Sequence, residues 1–177
     1  MSEQARHKPL PRLVDPRKLA TKAVSLERRV EPSELSRLAE VVHGVRSVDV
    51  SLSFKRDEHY RCEIQGQVSA QLELQCQRCL EPVGWFVESA IHWVVVPDDD
   101  RASALPSSVD ALILGADEDD IDLVALIEDE ILLDLPVIAR HDYDCIDPGA
   151  LNFGDQSEPE VADSPFSVLA DLKPKPR

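Results

Sequence analysis

The chain is poor in the residues that build catalytic loops. Six glycines in 177 residues leave no Gly-rich phosphate cradle, and no GxSxG nucleophile turn is present. Its five histidines, His7, His43, His59, His92 and His141, show no metalloprotease spacing. Carboxylates are plentiful, but runs of acids in loops are ordinarily solvated faces. No run of about 18 apolar residues exists, so no helix is expected to span a membrane. The opening MSEQARHKPLPRLV lacks the apolar stretch of a secretory signal. Four cysteines in a cytoplasmic chain stay reduced or bind metal, which argues against a disulfide framework. These absences predict a cytoplasmic protein and give no positive ground for an enzyme.

What is present suffices for a core. Hydrophobic residues make up 43% of the chain and charged residues 30%, a balance that rules out wholesale disorder. The length fits one ordinary domain. We expect a single domain over residues 1–148 with a basic N-terminal segment. An acidic linker and a short helical turn then fill 149–177, the turn opening at Ser164–Pro165 and carrying Phe166, Leu169 and Leu172. The net charge of −15 is uneven. Residues 1–60 hold 12 Lys/Arg against 9 Asp/Glu, and residues 61–177 hold 7 against 25. A phosphate backbone favours the first region, and a basic protein favours the second.

Periodicity places the elements. From Cys62 to Cys76 apolar and polar residues alternate strictly, the mark of a long strand with one wet face. Val48, Val50, Leu52 and Phe54 alternate in the same way, and Lys55 to His59 reads as the hairpin between them. Trp85 to Val96 is β-branched and aromatic, a third strand, which completes a meander. A helix is predicted from Pro32, with Leu35, Leu38, Ala39 and Val42 as its stripe. A second opens near Asp120, carries Leu123, Val124, Ile127, Ile131 and Leu135 on one side, and ends at Pro136. Between strand and helix, residues 97–120 read as an acidic loop with a short apolar insert, Ala111–Leu114. The fold class is therefore α+β: an antiparallel sheet with flanking helices and a flexible acidic C-terminal segment.

Two clusters carry chemistry. Cys76 and Cys79, with His141 and Cys145, give C-x2-C and H-x3-C, pairs of zinc-competent ligands on two turns. Two alternatives stay open beside zinc. The thiols can pack as small apolar groups, or the first pair can be a redox couple. The latter normally opens a helix, whereas this pair runs into a strand. The second cluster is the acidic helix. At 100° per residue, Asp122 and Asp129 share a face with Leu126 and Leu133, away from the core stripe. Glu128, Asp129, Glu130 and Asp134 crowd its C-terminal half, where the macrodipole disfavours acids. That arrangement suits an acidic, partly apolar face turned to a basic partner, and equally a helix covered by its own protein with scattered solubilising acids.

The blocks VSAQLELQCQRCLEPV, DLVALIEDEILLDLPVIARHDYDC and SPFSVLADLK, in this order, resemble the bacterial YceD family. The N-terminal LVDPRKLATKAVSLERRVEPSELSRLAEVV is similar as well, so the resemblance covers nearly the whole chain. It implies a non-enzymatic factor for accumulation of large-subunit (23S) ribosomal RNA and assembly of the large ribosomal subunit. It marks Cys76, Arg78, Cys79 and Leu80, then Asp122, Leu123, Glu128, Asp129, Glu130, Leu135 and Pro136, then Pro165, Phe166, Leu169 and Leu172. On this reading Asp122, Leu126, Glu128, Asp129, Glu130 and Leu133 hold a basic ribosomal protein. Arg6, Lys8, Arg12, Arg17, Lys18 and Lys22 approach ribosomal RNA. The rival readings are a zinc-binding module that contacts RNA directly and a CxxC thiol oxidoreductase.

Overall fold

The computed structural model describes residues 9–115, 117–147 and 149. The predicted turn at 164–172 and the cations Arg6 and Lys8 lie outside the described residues. The chain divides after Cys145 into two units, and the fold described is that of the first.

A five-stranded sheet forms the frame, with β2 (Ser25–Val30) at one edge, β6 (Asp110–Ile113) at the other and three strands, in chain order, between them. Its centre is the expected meander: β3 (Gly44–Arg56), β4 (Cys62–Gln75) and β5 (Pro82–Val96), paired antiparallel. Period two decides what each face does. Val48, Val50, Leu52, Phe54, Ile64, Val68, Ala70, Leu72, Val87, Ile91 and Trp93 turn to one side and are buried. Ser51, Gln67, Gln71 and Glu88 turn to the other and are exposed. Gly66 stands at a core-facing position because the strands approach too closely for a side chain. A Cβ there would lie 1.9 Å from the Ser51 carbonyl oxygen.

Helices close over the apolar face. α1 (Pro16–Thr21) begins with Asp15 as N-cap and Pro16 in its first turn. α2 (Ser36–Val41) follows a 3-10 turn, Pro32–Glu34. α4 (Leu123–Leu133) buries Leu123, Val124, Ile127 and Ile131 in the same cluster as Leu35, Leu38 and the sheet. Full burial of side chains such as these stabilises by about 1.5–3 kcal/mol each. Leu135 packs partly buried against the cluster. Among the described residues, no helix is long and apolar enough to cross a membrane.

The structure adds elements that the sequence pattern did not yield. β2 (Ser25–Val30) pairs with β3, and β1 (Leu13–Val14) pairs with β7 (Ile121–Asp122), pinning the N-terminal segment to the start of α4. The Asp15–Pro16 pair and the alternation of Leu26, Arg28 and Val30 were the signals, hidden by the charge of the segment. The acidic loop folds into α3 (Asp99–Ser103), capped by Asp98, and β6 (Asp110–Ile113), which pairs parallel to β5. The helix expected from Pro32 is split, because Leu35 leaves helical geometry at φ −102°, ψ 66°. Ala39, assigned to its stripe, is exposed in consequence.

Candidate functional site

The turn between β4 and β5 is built by the CxxC motif. The Leu80 N–H donates to the Cys76 carbonyl at 2.9 Å and the Cys76 N–H to the Glu81 carbonyl at 2.9 Å. Leu80 takes the left-handed φ of 65° that glycine ordinarily supplies. The chain leaving α4 passes Pro136 and is stitched to this turn by Gln77 N–H to the Ala139 carbonyl, 2.9 Å. That bond delivers His141 and Cys145 to the two turn cysteines.

The ligand atoms of Cys76, Cys79, His141 and Cys145 all lie within 4.8 Å of one another. A tetrahedral ion with Zn–S about 2.3 Å and Zn–N about 2.0 Å sets its sulfurs about 3.8 Å apart, and sulfur from nitrogen about 3.5 Å apart. The Cys76 and Cys145 sulfurs are 3.8 Å apart, and the Cys79 sulfur is 3.4 Å from His141 Nδ1. His141 Nε2 lies 3.2 Å from the Pro82 carbonyl, the outer hydrogen bond that fixes a ligating imidazole and leaves Nδ1 for the metal. All four cysteines of the chain are free.

The electrostatics favour anionic sulfur at Cys76 and Cys145, whereas Cys79 is raised, the Glu81 N–H being outweighed by burial and the two neighbouring sulfurs. The Cys79 backbone N–H, aided by those of Arg78 and His141, outweighs burial and pulls the Cys76 thiol down to about 5. Burial acts to raise Cys145, but hydrogen bonds from His141, Cys79 and Arg78 leave it lowered. His141 is raised, chiefly by its bond to Cys145. The proton so favoured on the imidazole is the one a cation displaces. Three thiolates around a divalent ion carry one net negative charge, and the Arg78 guanidinium stands 3.3 Å from the Cys145 sulfur to balance it. Arg78 is itself held by Asp144 at 2.9 Å and by the Tyr143 carbonyl. The cluster is thus a Cys3His set able to bind a metal, and its two halves come from turns far apart in sequence.

The acidic helix is arranged differently from the expectation. Glu128 belongs to the buried side, with its side chain 5% exposed. One carboxylate oxygen accepts the Leu38 N–H at 2.8 Å and the other the Arg37 Nε–H at 2.9 Å. It satisfies a free N–H in the first turn of α2, which has no capping side chain of its own. Glu130 accepts from Trp93 Nε1 at 3.0 Å, with Ser89 Oγ at 3.5 Å. Asp122 caps α4 through the Ala125 N–H at 3.0 Å and takes Arg12 at 2.9 Å. Asp129 bonds Arg37 at 2.6 Å yet stays half exposed. Leu126 is partly buried, and Leu133 is 81% exposed. Burial thus takes Glu128 off the outward face predicted for it, because Arg37 and Leu38 supply donors that no periodicity along α4 reveals.

The basic residues separate too. Arg12 binds Asp122, Lys18 binds Asp15, and Arg17 donates to the Leu114, Gly115 and Glu118 carbonyls. Lys22 is exposed at the C-cap of α1. Near α4 the structure also shows a groove of about 520 Å³ that sequence reading missed. Leu112, Ile113 and Leu126 line it together with the acids Glu118, Asp119, Asp120 and Asp122.

The fold and cluster define a small α+β protein clasped by a Cys3His site. The family described as "Large ribosomal RNA subunit accumulation protein YceD" matches residues 64–173. A relative from Haemophilus influenzae with that same name is 34% identical over 171 residues, 94% of this chain and 97% of its own length. The chain belongs to the YceD family. No solved structure matches it.

Proposed function

We propose that this protein is a non-enzymatic cytoplasmic factor that supports accumulation of large-subunit ribosomal RNA, and with it assembly of the large subunit. The observation that carries this reading is kinship along nearly the full chain with a relative named for that role. In this reading zinc at Cys76, Cys79, His141 and Cys145 is structural: it would hold the β4–β5 turn to the segment after α4. Asp129, Leu126 and Leu133 on α4, with the acid-lined groove beside β6, suit a lysine- and arginine-rich segment of a ribosomal protein.

Sucrose-gradient profiles from cells lacking the protein test the role directly. A deficit of large subunits and their RNA, with the protein sedimenting beside large-subunit precursors in wild-type cells, supports it. A normal profile with the protein only at the top of the gradient overturns it. For the partner, the combined change Asp119→Lys, Asp120→Lys and Asp129→Lys removes capture of basic ribosomal proteins at moderate salt. Retained capture refutes the acidic surface alone.

A further inference from the structure

The tip of the β3–β4 hairpin meets α1 in a small cleft that the acidic surface does not explain. Its volume is about 180 Å³, and Arg17, Arg56, Tyr60, Arg61, Cys62 and Val95 line it. Three arginines therefore line one cleft in a protein whose formal net charge is −15. Their hydrogen bonds leave most of that positive charge uncancelled. Arg17 donates only to backbone carbonyls in the bonds described above. Arg56 donates to the Tyr60 carbonyl at 3.0 Å and to Thr21 Oγ1 at 2.9 Å, both neutral acceptors. Among the described residues neither arginine forms an ion pair. Arg61 does, with Asp57 at 2.6 Å, through its Nε alone. The floor adds no opposing anion, because burial pushes the Cys62 thiol up to about 11. Beside the cleft stands Tyr60, 79% exposed and held at φ 61°.

We propose that this cleft binds single-stranded RNA, one phosphate lying against Arg17, Arg56 and Arg61 and the neighbouring base stacking on the Tyr60 ring. Guanidinium groups fitted to a phosphate position the backbone, and an exposed aromatic ring supplies a face that any base can use. The cleft sits at the β3–β4 turn, and the exposed ring there can stack only on a base that is unpaired and unstacked. The choice of RNA rests on the proposed role in ribosomal RNA accumulation; the anion-binding geometry does not.

The test is fluorescence anisotropy of the full chain with a labelled, unstructured RNA oligomer over a salt series, with inorganic phosphate as competitor. Tyr60→Asn removes the ring but keeps a residue tolerant of positive φ, and Arg56→Gln keeps neutral donors while removing the charge. Tyr60→Asn is expected to weaken binding by roughly 5- to 100-fold. Arg56→Gln is expected to weaken it and to lower the slope of log affinity against log salt by about one. Unchanged melting curves show that both variants fold, and Tyr60→Asn decides alone if Arg56→Gln does not. Wild-type affinity and slope in folded variants overturn the proposal, as does absence of RNA binding by the wild type. Binding of inorganic phosphate without the oligomer limits the cleft to a free-phosphate site and overturns it too. Cells carrying Tyr60→Asn separate the two levels. Normal large-subunit RNA there, against a deficit when the protein is absent, removes the cleft and leaves the proposed function standing; no deficit when the protein is absent removes the function itself.

Discussion

Helix α4 lies in the chain between the two halves of the cysteine clasp, and the two use polar groups in opposite ways. In the clasp, three sulfurs and an imidazole face one another, and what donors surround them stabilise negative charge. On α4, the carboxylates that look free in sequence are largely spent inside the protein: Glu128 on Arg37 and Leu38, Glu130 on Trp93, Asp122 on its own helix. The clasp is a set of side chains able to hold a cation. The helix is a surface largely engaged by its own protein, with Asp129 held by Arg37 yet half exposed and Leu133 open to solvent. Density of charge is therefore a poor guide to binding, and convergence of groups without internal partners is a better one.

The largest effect should come from the clasp. A strong chelator, or Cys79→Ser, is expected to remove zinc and lower Tm by on the order of 10 °C or more. Elemental analysis with parallel melts measures it, and a metal-free protein with an unmoved melt would dissolve the contrast. Next comes Glu128→Gln, which strips the charge from a buried partner of Arg37 and weakens the cap of α2, at a cost of about 2–4 kcal/mol. Asp129→Asn removes a half-exposed partner of the same guanidinium and should cost under about 1 kcal/mol, both losses being read by denaturant titration. Equal costs at the two positions would erase the distinction between spent and spare acids.

Asp122→Ala comes third, with a loss of about 1 kcal/mol from the α4 N-cap. Its pH dependence follows from the same contacts. Burial works to raise the Asp122 carboxyl, yet the Ala125 N–H and Arg12 hold it below the usual carboxylate range. Lys18 does the same for Asp15, and Arg46 for Glu73. Carboxyls lowered by folding contribute stability above their unfolded values of about 4 and lose it as pH falls through the folded ones. Denaturant midpoints should decline from about pH 5 downward, less steeply in Asp122→Ala. The smallest effect is Leu80→Gly. Relief of a left-handed leucine, about 1–2 kcal/mol, is mostly offset by added freedom in the unfolded chain. The melt should therefore rise slightly or stay level, whereas a fall would mean that the exposed leucine packs.

Much of the frame was legible because it rests on short-range pattern. The alternation of Cys62–Gln75 predicted β4 almost to the residue, and the 3.6 spacing of Leu123, Val124, Ile127 and Ile131 predicted the buried side of α4. The clasp ligands were legible as two spaced pairs, but their meeting was not: it depends on the Gln77–Ala139 bond between segments 62 residues apart. Glu128 was misplaced because its partner, Arg37, lies on another helix about 90 positions away. β6 was hidden for a similar reason. Four residues in an acidic stretch carry too little pattern, and only the open edge of β5 makes a strand of them.

The long reach of the clasp also sets an order of events during synthesis. Cys76 and Cys79 are made long before His141 and Cys145, with β5, β6 and α4 coming between them. Closing a loop of that length costs only slightly more entropy than closing one half as long, so length is no barrier to closure. In the native fold the second pair meets the first through the segment that leaves α4 at Pro136, held by the Gln77–Ala139 bond. A cation bound by all four side chains would therefore lock the last piece of the frame into place, and a chain stalled before residue 145 could hold it by one half only.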